Sequence, residues 1–259
     1  MSKSFLMNGK IAYFILSEQE VLIGSSSGEH FTWLEKHTFE NKTDFYYKEE
    51  LQQLIDKHQL QAVDYEEHVL SWYSETSSLV PMNLLEDSSA SEILQFNFSE
   101  EKLQFEADYN RIPELSIVNV FEIPLWVKSF FVLRFPRIIL QHLGTGLIRG
   151  IFNTSSFKST IHLFLLKTQT LLIHVRHNEL LTYNSFEYSS ETDLIYYTLN
   201  VLKQTQTLDD NGIVLIHPLT SEGISLSVLL ENWAKIHDLQ NFRVEQPEDL
   251  TLKYLATCV

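Results

Sequence analysis

Cysteine is almost absent: Cys258 is the only one in 259 residues, alongside six prolines and eight glycines. A single thiol excludes an intramolecular disulfide and any multi-cysteine zinc site. Cys258 has no basic neighbour in sequence to activate it, and no Gly-x-Ser-x-Gly elbow occurs, so nucleophilic catalysis has no candidate. Basic residues are also scarce, 19 against 34 acidic ones for a formal net charge of −15. That balance disfavours nucleic acid and anionic membranes as partners. No apolar run approaches the roughly 18 residues of a membrane helix, and the start MSKSFLMNGK lacks a signal-peptide core. The expectation is a cytoplasmic protein without membrane insertion.

Hydrophobic residues make up 44% of the chain, enough for one large domain or two of about 130 residues each. The organising stretch is Thr160 to Lys203. Ile161–Leu166, Leu171–Arg176 and Leu180–Glu187 read as strands, separated by polar turns at Lys167–Thr170 and His177–Glu179. A two-residue turn at Thr168–Gln169 pairs 166 with 171 and 164 with 173. One face then holds His162, Phe164, Leu166, Leu171, Ile173 and Val175, the other Leu163, Leu165, Leu172, His174 and Arg176. Both faces are mainly apolar, as in a sheet covered above and below.

Ser190 with Asp193 three residues later reads as a capping box opening a helix to about Lys203. Gly212–Ile216 follows as a strand, Ser221 opens a helix to about Ile236, and Asn241–Glu245 supplies a last strand. The order β-β-β-α-β-α-β is the plan of a ribonuclease-H-like half-domain, an α/β fold.

Earlier in the chain, Ser4–Met7 and Lys10–Leu16 flank Asn8–Gly9, a pair suited to a tight hairpin turn. Glu20–Gly24 reads as another strand, Ser25–Gly28 as a polar break, Thr43–His58 as a helix and His68–Tyr73 as extended. Thr43–Asp44 before Tyr46–Tyr47 echoes Thr192–Asp193 before Tyr196–Tyr197, a possible trace of duplication. A strand at Val80–Pro81, one helix carrying Leu84, Leu85, Ile93 and Leu94, and strands at Leu103–Tyr109 and Ser116–Phe121 follow. Pro124 opens a helix to about Leu133 that Phe135–Pro136 ends. Ile138–Leu140 is extended, Gly144-Thr145-Gly146 precedes a short segment to Gly150, and the polar stretch Asn153–Ser159 marks a boundary between halves 1–155 and 156–259.

The blocks SSLVPMNLL at 77–85, VNVFEIPLWV at 118–127, RFPRIILQH at 134–142 and LLTYNSFEYSSETDLIYYTLNVL at 180–202 resemble the bacterial domain-of-unknown-function 3822 family. The resemblance implies an actin-like ATPase fold with two ribonuclease-H-like halves around a cleft. It implies no activity, since none is established for the family.

Actin-like ATPases grip phosphates with glycine-rich hairpin turns and hold magnesium with aspartates, because glycine lets backbone amides approach phosphate oxygens and magnesium prefers carboxylates. Met7-Asn8-Gly9 offers one glycine and an asparagine, and Lys167–Thr170 offers neither glycine nor aspartate. Ser221-Glu222-Gly223 has one glycine where a pair serves adenosine, and Gly144-Thr145-Gly146 lacks the spacing of a phosphate loop. Ribonuclease-H chemistry needs converging carboxylates, whereas Ile161–Leu166 has none, Glu187 stands alone at a strand end, and Asp193 belongs to its cap. His174 and His177 point to opposite faces, as do His162 and His174, so no metal pair emerges. Tyr183, Tyr188, Tyr196 and Tyr197 are packing residues or a protein-binding surface.

The sequence therefore points to a non-catalytic, actin-like scaffold or protein-interaction protein. It has no catalytic or metal residues, no assigned cofactor site and an unidentified protein partner. The rival is an ATP-binding or phosphotransfer protein with atypical ligands for ATP and magnesium.

Overall fold

A computed structural model of the chain describes residues 9–40, 43–99, 103–154, 158–220, 224–247 and 250–256. It separates into two compact units, Met1–Arg149 with Leu252–Val259, and Gly150–Thr251.

Unit 1 opens with β1 (Lys10–Leu16), β2 (Glu20–Ser27) and β3 (His30–Thr38), a meander leading into helix α1 (Asp44–Lys57). Strand β4 (Tyr65–Trp72) returns parallel to β1. After an inserted segment come α4 (Leu125–Arg134), β8 (Ile139–His142) and α5 (Leu143–Asn153). The sheet order is β3-β2-β1-β4-β8, and Phe14, Leu16, Val21, Ile23, Leu70 and Trp72 pack against Leu51, Ile55, Val127 and Phe131 of α1 and α4. The insert comprises β5 (Ser77–Pro81), α2 (Leu84–Asp87), α3 (Ala90–Asn97), β6 (Glu106–Ile112) and β7 (Ile117–Ile123), its strands in the order β5-β7-β6.

Unit 2 repeats the plan with β9 (Ser159–Leu165), β10 (Gln169–Arg176), β11 (Glu179–Glu187), α6 (Glu191–Gln204), β12 (Gly212–Pro218), α7 (Leu226–Ala234) and β13 (Phe242–Glu245). Its sheet order is β11-β10-β9-β12-β13, with β9 antiparallel to β10 and parallel to β12. Leu163, Leu172, Leu194, Leu202, Val214 and Trp233 form the core under α6 and α7.

The duplication extends to single hydrogen bonds. Leu16 and Leu165 end the central strands, and their carbonyls accept from Tyr73 and Leu219 amides at 2.8 and 2.9 Å. Helices α1 and α6, each of 14 residues, both end on a glutamine in the left-handed region, Gln59 (φ 51°) and Gln206 (φ 55°). Leu60 and Thr207 amides then reach back to the Ile55 and Leu202 carbonyls, both at 3.0 Å, closing equivalent helix ends. The Thr-Asp echo is not part of this repeat. Thr43 is the N-cap of α1, whereas Thr192 lies inside the first turn of α6 and Ser190 is the cap.

Several sequence expectations need correction. The β9–β10 turn is Lys167–Thr168, closed by the Leu166 amide on the Gln169 carbonyl at 2.8 Å, so 164 pairs with 171 and the register moves by two residues. An even shift leaves each side chain on its expected face. Of the Asn8–Gly9 hairpin, residues 4–8 lie outside the described residues, and Gly9 directly precedes β1. Strand β3 falls where no strand was expected, its HFTWLEKHT mixing charged and aromatic residues on a half-exposed edge. The helix expected over 84–94 divides because Ser89 and Glu92 form a capping box that starts α3 afresh. Strand β6 is Glu106–Ile112 rather than Leu103–Tyr109, followed by a helical turn at Pro113–Leu115 and by Ser116 at φ 55°. The Gly144-Thr145-Gly146 stretch is the first turn of α5 rather than a loop before it.

Helix α8 (Thr251–Ala256) explains two glycines in unit 1. A Cβ on Gly24 would lie 2.7 Å from Leu252, and one on Gly146 2.7 Å from Leu255. Hydrogen at these positions lets the last helix seat against β2 and α5.

Candidate functional site

In open α/β sheets, ligand sites lie outside the carboxyl ends of strands where the strand order reverses. That edge follows β1 and β4 in unit 1, and β9 and β12 in unit 2. The first hairpin turn there is Glu18–Gln19, closed by the Ser17 amide on the Glu20 carbonyl at 2.9 Å. Ser17 Oγ accepts from the amides of both Gln19 and Glu20 at 3.2 Å. The Tyr47 hydroxyl donates to the Glu18 carbonyl at 2.7 Å, and the Phe39 amide donates to the Gln19 carbonyl at 2.9 Å. The turn is tied down by its own serine, a tyrosine from α1 and the backbone after β3.

The second turn is held by the same logic with other residues. The Tyr188 amide donates to the Thr168 carbonyl at 2.9 Å, and its buried hydroxyl donates to the Leu166 carbonyl. Neither turn carries glycine or aspartate. In phosphate-gripping turns the amides point at the ligand. Here two of those in the first turn are spent on Ser17, whereas the Tyr188 bonds of the second turn go to carbonyls. Among the described residues, no group of three or more His, Cys, Asp or Glu could hold a metal ion.

The other residues singled out in the sequence scatter. Gly144 and Gly146 sit in α5, where the Gly144 amide donates to His142 Nδ1 at 3.1 Å. Asp193 closes the capping box of α6, as expected, accepting from the Ser189 and Ser190 amides at 2.9 Å. These amide and hydroxyl bonds hold its carboxyl below the usual carboxylate range. Glu187 is exposed at the end of β11. Tyr197 stacks on Phe186 at 4.3 Å and Tyr188 is buried, so packing takes these two, while Tyr196 stays 63% exposed. Ser221, Glu222, Gly223 and Cys258 lie outside the described residues.

Two buried polar clusters were not legible in the sequence. In unit 1, His142 Nδ1 accepts from Asn119 Nδ2 and the Gly144 amide, both at 3.1 Å, while Nε2 lies 3.1 Å from the Ser74 carbonyl. The neutral ring with its proton on Nε2 satisfies these three contacts, the Ser74 amide also lies 3.3 Å from Nε2, and burial lowers the ring's pKa to about 4. His142 thus caps α5 and ties β8 to β7 of the insert. In unit 2, His162 Nδ1 and His217 Nε2 are 3.2 Å apart and their rings are stacked, with Phe164 4.4 Å from His217. A histidine pair therefore does exist. His162 and His174 lie on opposite faces as expected, and the partner comes from the parallel neighbour β12 instead.

Comparison with known proteins places these features. The family described as "Protein of unknown function (DUF3822)" matches residues 20–235. A Bacteroides thetaiotaomicron protein of actin-like ATPase fold and unknown function is similar at TM-score 0.79 and 17% identity, with 100% of both chains covered. A PilM–PilN type IV pilus biogenesis complex is similar at TM-score 0.52 and 10% identity, covering 93% of this chain and 88% of that one. The fold is thus that of the actin-like ATPases. None of the curated proteins matches.

Proposed function

The chain belongs to the DUF3822 family of proteins of unknown function, and within it we propose a non-catalytic, actin-like scaffold that acts through protein contact. The observation that carries this reading is the Ser17 hydroxyl, which accepts the Gln19 and Glu20 amides and turns the first phosphate-side hairpin in on itself. The similarly folded PilM, described in a complex with PilN, supports protein contact as a use of this architecture. The absence among the described residues of any helix long and apolar enough to cross a membrane is compatible with a partner met in water.

Thermal unfolding with and without magnesium-ATP tests the proposal. A ligand at a hundredfold excess over its dissociation constant stabilises by about 2.7 kcal/mol. The expected result with millimolar nucleotide is no change in melting temperature and no phosphate release. A saturable rise, reduced by substitution at Ser17 or Lys167, would overturn the reading in favour of an ATP-binding or phosphotransfer protein.

A further inference from the structure

The insert of unit 1 has a core of its own. Strands β5, β7 and β6 bury Val80, Val118 and Val120 against Ile93 and Leu94 of α3, on one face of their sheet. The opposite face meets the rest of the unit, and the pairing of β6 with β7 places Asp108, Asn110 and Ile112 there beside Phe121, Asn119 and Ile117. Phe121 and Ile123 join the main core with Trp72, close to where the chain enters and leaves the insert at Ser77 and Ile123. Ile112 is buried at the far end of the same face.

Between those two ends the junction is polar. Asp108 pairs with Lys128 of α4, and Glu114, in the turn after β6, pairs with Arg149 of α5, both at 2.9 Å. All four keep between 26 and 42% of their side-chain surface in water. Asn119 Nδ2 donates to His142 Nδ1 and to Thr145 Oγ1, both at 3.1 Å, while its buried Oδ1 has no hydrogen-bond partner among the described residues. Such an orphaned oxygen makes the docked state less favourable than a fully matched one. Asn110 accepts from the His142 amide at 2.7 Å and donates to the Leu140 carbonyl at 3.4 Å. Residues 140 and 142 alternate along β8, the last strand of its sheet, so one side-chain amide stands where the peptide of a further strand would pair.

A layer fixed permanently to its neighbour buries apolar surface against it. Here much of that surface faces α3, and past Phe121 the junction relies on groups that water satisfies nearly as well. We propose that the insert is a hinged module, which lifts from the rest of unit 1 in one piece with its own core intact. The hinge is the apolar end at Phe121 and Ile123. Lifting frees the outer edge of β8 and uncovers the first turn of α5 at Thr145, both of which the docked asparagines occupy.

Native-state hydrogen exchange of the full chain, resolved by residue, tests this through the His142 amide, which only docking protects. The expected result is exchange at least about tenfold faster than in the β1–β4 and β6–β7 ladders, with a shallower dependence on denaturant, since a local opening exposes little surface. The double variant Lys128→Gln, Arg149→Gln touches neither partner of that amide, yet should speed its exchange about threefold while both ladders keep their rates. Asn119→Ala should do so about tenfold. Both cations are part-exposed, so the charge variant decides the matter if Asn119→Ala does not fold. A His142 amide that exchanges with the rate and denaturant slope of the β1–β4 ladder would overturn the proposal. So would loss of the β6–β7 ladder in the same opening, which means unfolding of the insert rather than lifting, or indifference of the His142 amide to the charge variant.

Discussion

Acidification is the sharpest test of how this fold is held together, because it seals four imidazoles: His142 in unit 1 and His162, His174 and His217 in unit 2. Burial lowers His142 and His174 to about 4 and His217 to about 3. His162 is driven well down by the same cause, with the neighbouring His217 and His174 acting in the same direction. In the unfolded chain each returns to its ordinary value near 6.5. Above that value neither state binds the proton and stability is complete. Below it the unfolded chain takes up protons that the native state refuses, so stability falls as pH drops from 6.5 toward 4. Each proton is worth about 1.4 kcal/mol per pH unit, so by pH 5 each of the three histidines with a stated value costs about 2 kcal/mol. Unit 1 loses about 2 kcal/mol from His142, to which the half-buried His68 of β4, also lowered by burial, adds, and unit 2 about 4, to which His162 adds, against a typical domain stability of about 5–15 kcal/mol. Carboxylates such as Glu35, held low by Lys57 and His58, respond only below their ordinary range, whereas burial pushes the Glu67 carboxyl of β4 up, so that its protonation offsets part of the loss in unit 1. Amide hydrogen exchange at pH 7 and pH 5, corrected for intrinsic rates, should show protection falling first in β9, β10 and β12, and less in β1 and β4. His217→Phe keeps a ring beside Phe164 and should remove about one proton from the pH slope, whatever it does to stability at pH 7. Equal protection at both pH values, earlier loss in unit 1, or an unchanged slope in the variant would refute the reasoning.

Further tests concern single contacts. Ser190→Ala removes the hydroxyl that accepts the Asp193 amide and should cost about 1 kcal/mol in denaturant unfolding, with a Ser190→Asp variant recovering most of it. Gly146→Leu would force α8 away from α5, since even a Cβ lies 2.7 Å from Leu255 and 2.5 Å from Gln141. A loss of about 1–3 kcal/mol and exposure of 251–256 to proteolysis are expected.

The second unit was the more legible because its strands are apolar on both faces and its helix α6 begins on a side-chain cap visible in the sequence. Ser190, Asp193, Tyr188 and the strands β9 to β12 all follow from local pattern. A turn at His177–Glu179 was readable, and the structure narrows it to His177 and Asn178, at φ 48° and 62°, with Glu179 already in β11. Edge strand β3 was not, since alternation fails where both faces are half-exposed. Nor was the join between α2 and α3, where Ser89–Glu92 interrupts an otherwise plausible apolar spacing.

The histidine clusters show why the interior of a site resists sequence reading. His162 and His217 are 55 residues apart, and His142 and Asn119 are separated by 23. Each pair is made by strands that the chain brings together from distant positions, so no spacing rule connects them. The hairpin turns carry the opposite lesson. Ser17, Tyr47 and Tyr188 are individually ordinary residues, yet at the carboxyl ends of the central strands they take up the hydrogen-bonding groups of the turns. Two units that share strand order, helix ends and turn anchors, but fix their turns with Ser17 in one and the Tyr188 hydroxyl in the other, have kept the architecture while closing the same corner by different chemistry.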